Sequence, residues 1–310
     1  MVKGPSTSLR TGLSPRIVAL VALVACGSTP PKPPPPYTQY GGGSADLSRA
    51  VDADMIAIEA GPYVSGSARE ERERAYDAYR ETAGRDTARA QRWFAREREP
   101  HQQTLPSFVI DRTPVTNAAY AEFVADTGIA QPVIDEAAWR AQGFSQDYAT
   151  EVARFNWRGG TPPEKRGDHP VVLVTWRDAA AYCAWRGDVV GAARRLPTAD
   201  EYEKAARGTG GDAYPWGVEY DAGMLNSAVA GPRDTTPVGS YEAGASPYGM
   251  RDAAGNVFQW TSTPWEHEPN AMTVKGSAWD DYAGVGRAAS AHGRPRSARH
   301  AIVGLRCAGG

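Results

Sequence analysis

The 310-residue chain holds three cysteines and five histidines, the side chains best suited to redox chemistry and transition metals. The cysteines, Cys26, Cys183 and Cys307, are too few for a disulfide scaffold, and no two share the Cys-x-x-Cys spacing of a zinc site. No cysteine lies between Cys183 and Cys307, so no thiolate pair can form within that interval. The histidines (His101, His169, His267, His292 and His300) are scattered. Of these, His292 and His300 could approach Asp280 or Asp281 in space and make a His/carboxylate metal site. Charge is close to balanced, with 34 Lys and Arg against 36 Asp and Glu and a net of −2, so nothing recruits nucleic acid.

These groups must be positioned by a loop-rich chain. Hydrophobic residues make 41% and charged residues 23%, enough for a core and against disorder. With 33 Gly, 24 Pro and 9 Trp, the composition favours irregular chain with aromatic plugs over a bundle or a parallel sheet. The longest apolar run, Ile17 to Ala25, is too short to span a bilayer. Lys3, Arg10 and Arg16 precede it and Leu23-Val24-Ala25-Cys26 closes it, as in an export signal. That ending resembles the lipobox of bacterial lipoproteins, in which the cysteine is lipidated and becomes the mature N-terminus. A plain secretory signal with an incidental cysteine, or a buried strand, are the alternatives. Pro30, Pro31 and Pro33 to Pro36 then form an extended spacer. Gly27 after the cysteine matches lipoprotein sorting to the outer membrane, facing the periplasm. The expected organisation is a signal peptide over 1–25, a Pro/Gly-rich linker over 26–50 and one domain over 51–310.

Within that domain, residues 55–64 alternate as a strand interrupted by a turn. Residues 68–99 are dense in Arg and Glu, with pairs such as Arg69/Glu73, Glu70/Arg74 and Glu81/Arg85 at helical spacing. They read as a solvated helical insertion, or else as an arm that docks a partner. Phe108-Val-Ile-Asp is a short strand, and Thr116 caps a helix that Gly128 ends. Val171-Val-Leu-Val reads as a buried strand. Thr175 and Asp178 form a capping box for a helix stopping near Gly187, and Thr198 with Glu201 repeats the device. Short strands and turns fill the rest.

The segments resemble the formylglycine-generating enzyme family, or sulfatase-modifying factors. The carriers, in family order, are Phe108-Val-Ile-Asp-Arg-Thr-Pro-Val-Thr-Asn, His169-Pro-Val-Val-Leu-Val-Thr-Trp-Arg-Asp, Arg195-Leu-Pro-Thr-Ala-Asp-Glu-Tyr, Tyr214-Pro-Trp-Gly, Thr236-Pro-Val-Gly-Ser-Tyr, Tyr248-Gly-Met-Arg-Asp-Ala-Ala-Gly-Asn-Val-Phe-Gln-Trp, Lys275-Gly-Ser-Ala-Trp and Val303-Gly-Leu-Arg-Cys. The resemblance implies an α+β fold related to C-type lectins, loop-rich, with small antiparallel sheets and two main helices. It covers residues 53–310.

Family enzymes oxidise a sulfatase cysteine to formylglycine, using copper(I) held by two cysteines just after the segment matching Gly276-Ser277. Here Asp280 stands where the first cysteine is expected and the second is missing, so the resemblance implies no copper. Ser277 matches a family active-site serine, and with Asp280 it is the tentative catalytic pair. Related sulfoxide synthases bind iron through a His-x-x-x-His-x-Glu segment, which this chain lacks. The resemblance also implies a disulfide between Cys183 and Cys307. It further implies calcium on the Asp252 side chain, the Gly255 and Val257 carbonyls and the Gln259 side chain, with Gln259 where most relatives carry Glu. A weaker second calcium set would use Asn226, Ser227 and Asp234. The expected function is a lipid-anchored envelope protein that binds a protein, peptide or glycan without making formylglycine. A non-haem iron oxidase with a remodelled His/carboxylate site, or a purely structural envelope protein using the charged arm, are the alternatives.

Overall fold

The chain's apolar runs are short and interrupted by Gly and Pro, which limits every sheet to a few strands. The computed structural model describes Met1 and residues 45–310; the expected signal segment, Cys26 and the proline spacer lie outside the described residues. In order, the elements are α1 (Asp46–Ala53), β1 (Ile56–Ile58), β2 (Gly61–Ser65), α2 (Arg69–Ala83), α3 (Thr87–Ala90), β3 (His101–Leu105), β4 (Phe108–Ile110), α4 (Asn117–Thr127) and α5 (Glu136–Ala141). There follow α6 (Trp176–Val190), α7 (Ala199–Arg207), β5 (Phe258–Pro264), β6 (Ala271–Lys275), β7 (Ala291–Pro295), β8 (Val303–Gly304) and β9 (Ala308–Gly309). Among the described residues no helix is long and apolar enough to cross a membrane.

Among the described residues three sheets result: β1-β4-β9, the ribbon β2-β3, and β7-β6-β5-β8. All pairings are antiparallel except β5 with β8. This is the expected α+β, lectin-like arrangement. The sheets and helices enclose one large core around Tyr120, Tyr182, Trp157 and Trp260, and a smaller one around Ile56, Ile110, Tyr202 and Met250. Tyr120 stacks on Tyr182 at 5.4 Å and joins α4 to α6.

The expected caps form. Thr116 accepts from the Ala119 amide, and Gly128 ends α4 at φ 67°. Both capping boxes close, Thr175 with Asp178 and Thr198 with Glu201. The disulfide Cys183–Cys307 is present, with Cα atoms 5.6 Å apart, and ties α6 to the C-terminal segment.

Four expectations are corrected. Residues 46–50, expected within the linker, belong to helix α1, whose Leu47 and Ser48 amides donate to the Glu122 carboxylate at 2.9 and 2.8 Å. Helix α6 runs through Gly187 to Gly191; Gly187 is an internal contact, where a Cβ would lie 2.8 Å from the Ala192 carbonyl. Val171 to Val174 are buried but form no strand. The Val171 and Leu173 amides donate to the Val115 and His300 carbonyls, and Leu173 takes φ 60°. Finally, residues 66–100 are an excursion between β2 and β3 that is anchored rather than solvated. Ala75, Tyr76, Tyr79, Ala88 and Phe94 are buried in the main core.

Candidate functional site

The anchored excursion builds one wall of a cavity of about 570 Å³. Tyr79 of α2 and Trp93 stand on that wall, with Arg85, Thr87 and Gln91 at its rim. Residues 143–146, Phe258 of β5, Asp280, Asp281, Tyr282, His292 and Arg294 of β7, and His300 also line the cavity. Tyr79 meets Trp93 and Tyr282 edge-on at 5.3 and 5.8 Å, so three rings form an aromatic corner.

Ion pairs hold the wall in place. The Arg287 guanidinium, 2% exposed, binds Glu97 at 2.6 Å and Glu71 at 2.9 Å, and lies 4.7 Å over the Phe94 ring. Glu71 also faces Arg207, whose guanidinium donates to Glu203 at 3.1 Å; Glu203 in turn binds buried Lys275 at 3.2 Å. Gly284 permits the approach: at φ 88°, a Cβ there would sit 2.4 Å from the Ala75 carbonyl oxygen.

The cavity floor is polar and strained electrostatically. Burial pushes the Asp280 carboxyl up to about 6, against a hydrogen bond with Gln146 that pulls it down, and nearby Glu151 adds repulsion. Burial, then the charge of Asp280, raises Asp281 well above the usual carboxylate range. Two adjacent carboxyls in one low-dielectric site disfavour each other's ionisation. Asp281 accepts the Ala278 amide at 2.8 Å, whereas Asp280 Oδ1 is buried with no partner. Arg294 Nε is likewise buried and unpartnered. Burial, then Arg294, depresses His292 to about 3, and burial depresses His300, so both imidazoles are neutral.

The cavity therefore gathers Asp280, Asp281, His292 and His300 as the sequence allowed. It does not make a metal centre of them: among the described residues no group of three or more His, Cys, Asp or Glu could hold an ion. The imidazoles are committed to packing. His300 lies 4.2 Å from the Phe144 ring, with Nδ1 accepting the Ile302 amide, and His292 sits edge-on to Phe258 at 5.3 Å. His169 pairs with Thr235, and His267 packs on Trp265. Ser277 is 1% exposed and its Oγ accepts the Gly255 amide at 2.7 Å, which fixes a turn. Its partnership with Asp280 in a catalytic pair is not supported by that geometry. Arg294, Trp93, Tyr79 and Tyr282 were not singled out from sequence. Trp93, a large aromatic within a charged stretch, was the available signal.

The calcium residues also carry other bonds. Asp252 Oδ2 accepts the Gly239 amide at 2.7 Å. Gln259 Oε1 accepts from Arg306 Nε, and Gln259 Nε2 donates to the Asp252 and Val257 carbonyls at 2.9 and 3.2 Å. The buried Arg306 guanidinium also donates to the carbonyls of Asp111, Arg112, Arg251 and Asp252. Calcium needs six to eight converging oxygens; here N–H donors point at the Val257 carbonyl and a guanidinium supplies the cation. As arranged here, the set Asp252, Gly255, Val257 and Gln259 does not fit the ion. In the second set, Asn226 Oδ1 is buried without a partner, and it and the Ser227 carbonyl lie 2.2 and 2.6 Å from where a Gly231 Cβ would be. The Asp234 carboxylate, however, is bound by Arg166 through two N–H groups, at 2.9 and 2.5 Å. That set offers neutral oxygens and no free carboxylate.

Comparison with known proteins places this geometry. Residues 44–309 match the family described as sulfatase-modifying factor enzyme 1-like domain. The chain is 30% identical over 245 residues to an inactive C-alpha-formylglycine-generating enzyme 2 of Bos taurus, covering 67% of this chain and 78% of that one. It is 38% identical over 180 residues to a hercynine oxygenase of Mycolicibacterium smegmatis, covering 54% of this chain but only 40% of the relative's length. The solved structure of PvdO from Pseudomonas aeruginosa shares the fold at a TM-score of 0.60 and 22% identity, over 82% of this chain and 93% of its own. By the extent of the family match and of the relatives covered, the chain belongs to the sulfatase-modifying factor family.

Proposed function

We propose that the protein is an accessory, ligand-binding member of the family, tethered to the bacterial envelope by lipid on Cys26 and without formylglycine-generating activity. The observation that carries this reading is a cavity lined by carboxylates and imidazoles with no thiol among its lining residues. Asp280 stands there, and the cysteines of the described residues, Cys183 and Cys307, are bound to each other. Copper(I) requires soft sulfur donors, which a carboxylate cannot replace. Likeness to a relative named as inactive supports the same conclusion. Incubation of copper-loaded protein with oxygen and a Cys-x-Pro-x-Arg peptide is expected to yield no aldehyde above a metal-free control. Aldehyde product overturns the reading. Asp280→Cys alone is expected to remain inactive, since one thiolate gives neither the geometry nor the affinity.

An iron-dependent oxidase is the second reading, favoured by the likeness to hercynine oxygenases. Redox metal near one per purified chain supports it over the binder.

Two further parts of the proposal are open to direct measurement. Cys26 is the lipidation site and residues 1–25 are removed, so mass spectrometry of the mature protein is expected to find acylated Cys26 at the N-terminus. An intact Met1 overturns this. Because Arg306 and the Gln259 amide fill the Asp252–Gln259 site, stability does not depend on calcium there. A chelator is expected to leave the melting curve of the wild-type chain unchanged. A chelator-induced fall in the wild-type melting temperature restores calcium to the site.

A further inference from the structure

A second cavity, of about 480 Å³, lies where the start of α6 meets the turn before β6 and the end of β7. Thr175, Arg177, Asn270, Pro295, Arg296 and Ser297 line it, so it shares no lining residue with the cavity of Asp280. The two differ in charge. The first mixes carboxylates with arginines, whereas the second carries two guanidinium groups and no carboxylate among its lining residues. Nearby Asp178 is bound by Arg299 at 2.8 Å. Arg177 and Arg296 have no such partner: among the described residues neither forms an ion pair within 4.0 Å.

Arg177 is exposed, and half-buried Arg296 is held in place without a counter-charge. The Arg296 amide donates to the Asn270 carbonyl at 3.0 Å, and its carbonyl accepts the Trp176 amide at 3.1 Å. Arg296 Nε donates to Met272 Sδ at 3.1 Å, and the guanidinium lies 5.4 Å over the Trp176 ring. That ring is itself fixed, since Trp176 Nε1 donates to the Thr261 carbonyl at 2.9 Å. These contacts engage Nε and one face of the guanidinium. A fork fixed in advance loses little freedom when it binds an anion. The rest of the lining adds neutral donors. Thr175 Oγ accepts the Asp178 amide at 3.2 Å, which leaves its own hydrogen to donate, and Ser297 and Asn270 are exposed. The end of α6 is not the attraction, because Asp178 accepts the Thr175 amide at 3.0 Å and so caps it.

Two forked cations with hydroxyl and amide donors around them match an oxyanion. A carboxylate brings one negative charge and two acceptor oxygens; a phosphate group brings up to two charges and three oxygens. We propose that this cavity binds a phosphate group, free or as the monoester of a small molecule. Arg177 and Arg296 supply the charge, and Thr175, Ser297 and Asn270 supply further donors. The proposal is independent of the reading of the Asp280 cavity, and either can fail without the other.

The test is calorimetry of the purified full chain at low salt, in a buffer free of phosphate and sulfate, with glycerophosphate, inorganic phosphate and acetate as probes. Saturable binding of glycerophosphate is expected, with acetate weaker by about tenfold or more. Arg177→Gln and Arg296→Gln are each expected to weaken phosphate binding by about tenfold or more. Melting temperatures are recorded for both, because Arg296 also packs on Trp176; Arg177 is exposed, so its variant reads binding without a change in the fold. Arg158→Gln removes the same charge from an exposed residue that lines neither cavity, and is expected to leave binding unchanged. Glycerophosphate bound more tightly than inorganic phosphate assigns the site to a monoester, and equal affinity assigns it to free phosphate; both uphold the proposal. Absence of saturable binding of either phosphate to the wild type overturns it, as does acetate bound equally tightly. Phosphate binding indifferent to Arg177→Gln and Arg296→Gln, or weakened as much by Arg158→Gln, also overturns it, because the anion then sits elsewhere or answers only to overall charge.

Discussion

Cys183→Ala is expected to lower the melting temperature by about 10 °C. The bridge joins residues 124 apart in sequence. On loop-closure entropy, a cross-link of that span restricts the unfolded chain by roughly 4–5 kcal/mol. In a domain of this size, 1 kcal/mol moves the midpoint by about 2–4 °C. The native surroundings magnify the dependence. The Cys307 amide donates to Asp111 Oδ2 at 2.7 Å, and that carboxylate pairs with the fully buried Arg186 guanidinium at 2.7 Å. Loosening the C-terminal segment thus disturbs a buried ion pair as well as the β4-β9 edge. Thermal melting of the variant and thiol titration of the native wild type check this. A midpoint within 2 °C of wild type, or two free thiols in the native protein, overturns it.

The parts of the fold legible in the sequence are those whose signals are local. Thr175 with Asp178 and Thr198 with Glu201 carry the whole capping box within four residues, and both form. The parts that were misread depend on partners far along the chain. Residues 68–99 offer charge pairs at helical spacing, yet Glu73 binds Arg89 and Glu71 binds Arg287. Opposite charges at i,i+4 are compatible with a solvated helix, and nothing local reveals that Glu71 and Glu97 share one buried guanidinium. Val171 to Val174 show the same limit: an apolar run declares burial, while its hydrogen-bond partners, Val115 and His300, lie on either side in sequence.

The candidate site divides the same way. That Asp280 lies in the motif block after Gly276-Ser277 was visible from the sequence alone. That Asp280 and Trp93 line one cavity was not, because 187 residues separate two positions brought together by an excursion the motifs do not contain. The calcium residues were transferable by position, but the Arg306 guanidinium between their oxygens was not, since its five partners come from three separate segments.

Arg287→Met is expected to release the excursion and dismantle the cavity. The guanidinium is 2% exposed and Glu97 is equally buried. Removing one member of such a cluster strands charge in a low-dielectric interior, at a cost of about 3–5 kcal/mol. The carboxylates have other contacts, since Ser67 Oγ donates to Glu97 at 2.6 Å and Arg207 lies 3.9 Å from Glu71, but neither replaces a bidentate guanidinium. The loss falls on residues 66–100 first, because Phe94 loses the Arg287 cation above its ring and α2 loses its tie to the segment after Gly284. Limited proteolysis is therefore expected to cut within 66–100 before the rest of the domain unfolds, with a change in Trp93 fluorescence. The triple variant Arg287→Met, Glu71→Gln, Glu97→Gln separates charge from packing. It removes the stranded carboxylates while keeping side-chain volume, so it is expected to recover most of the lost stability. Equal destabilisation of the single and triple variants means that packing of the Arg287 side chain, and not its charge, holds the wall. A single variant as resistant to protease as wild type means that the apolar contacts of Tyr76, Tyr79 and Phe94 suffice alone.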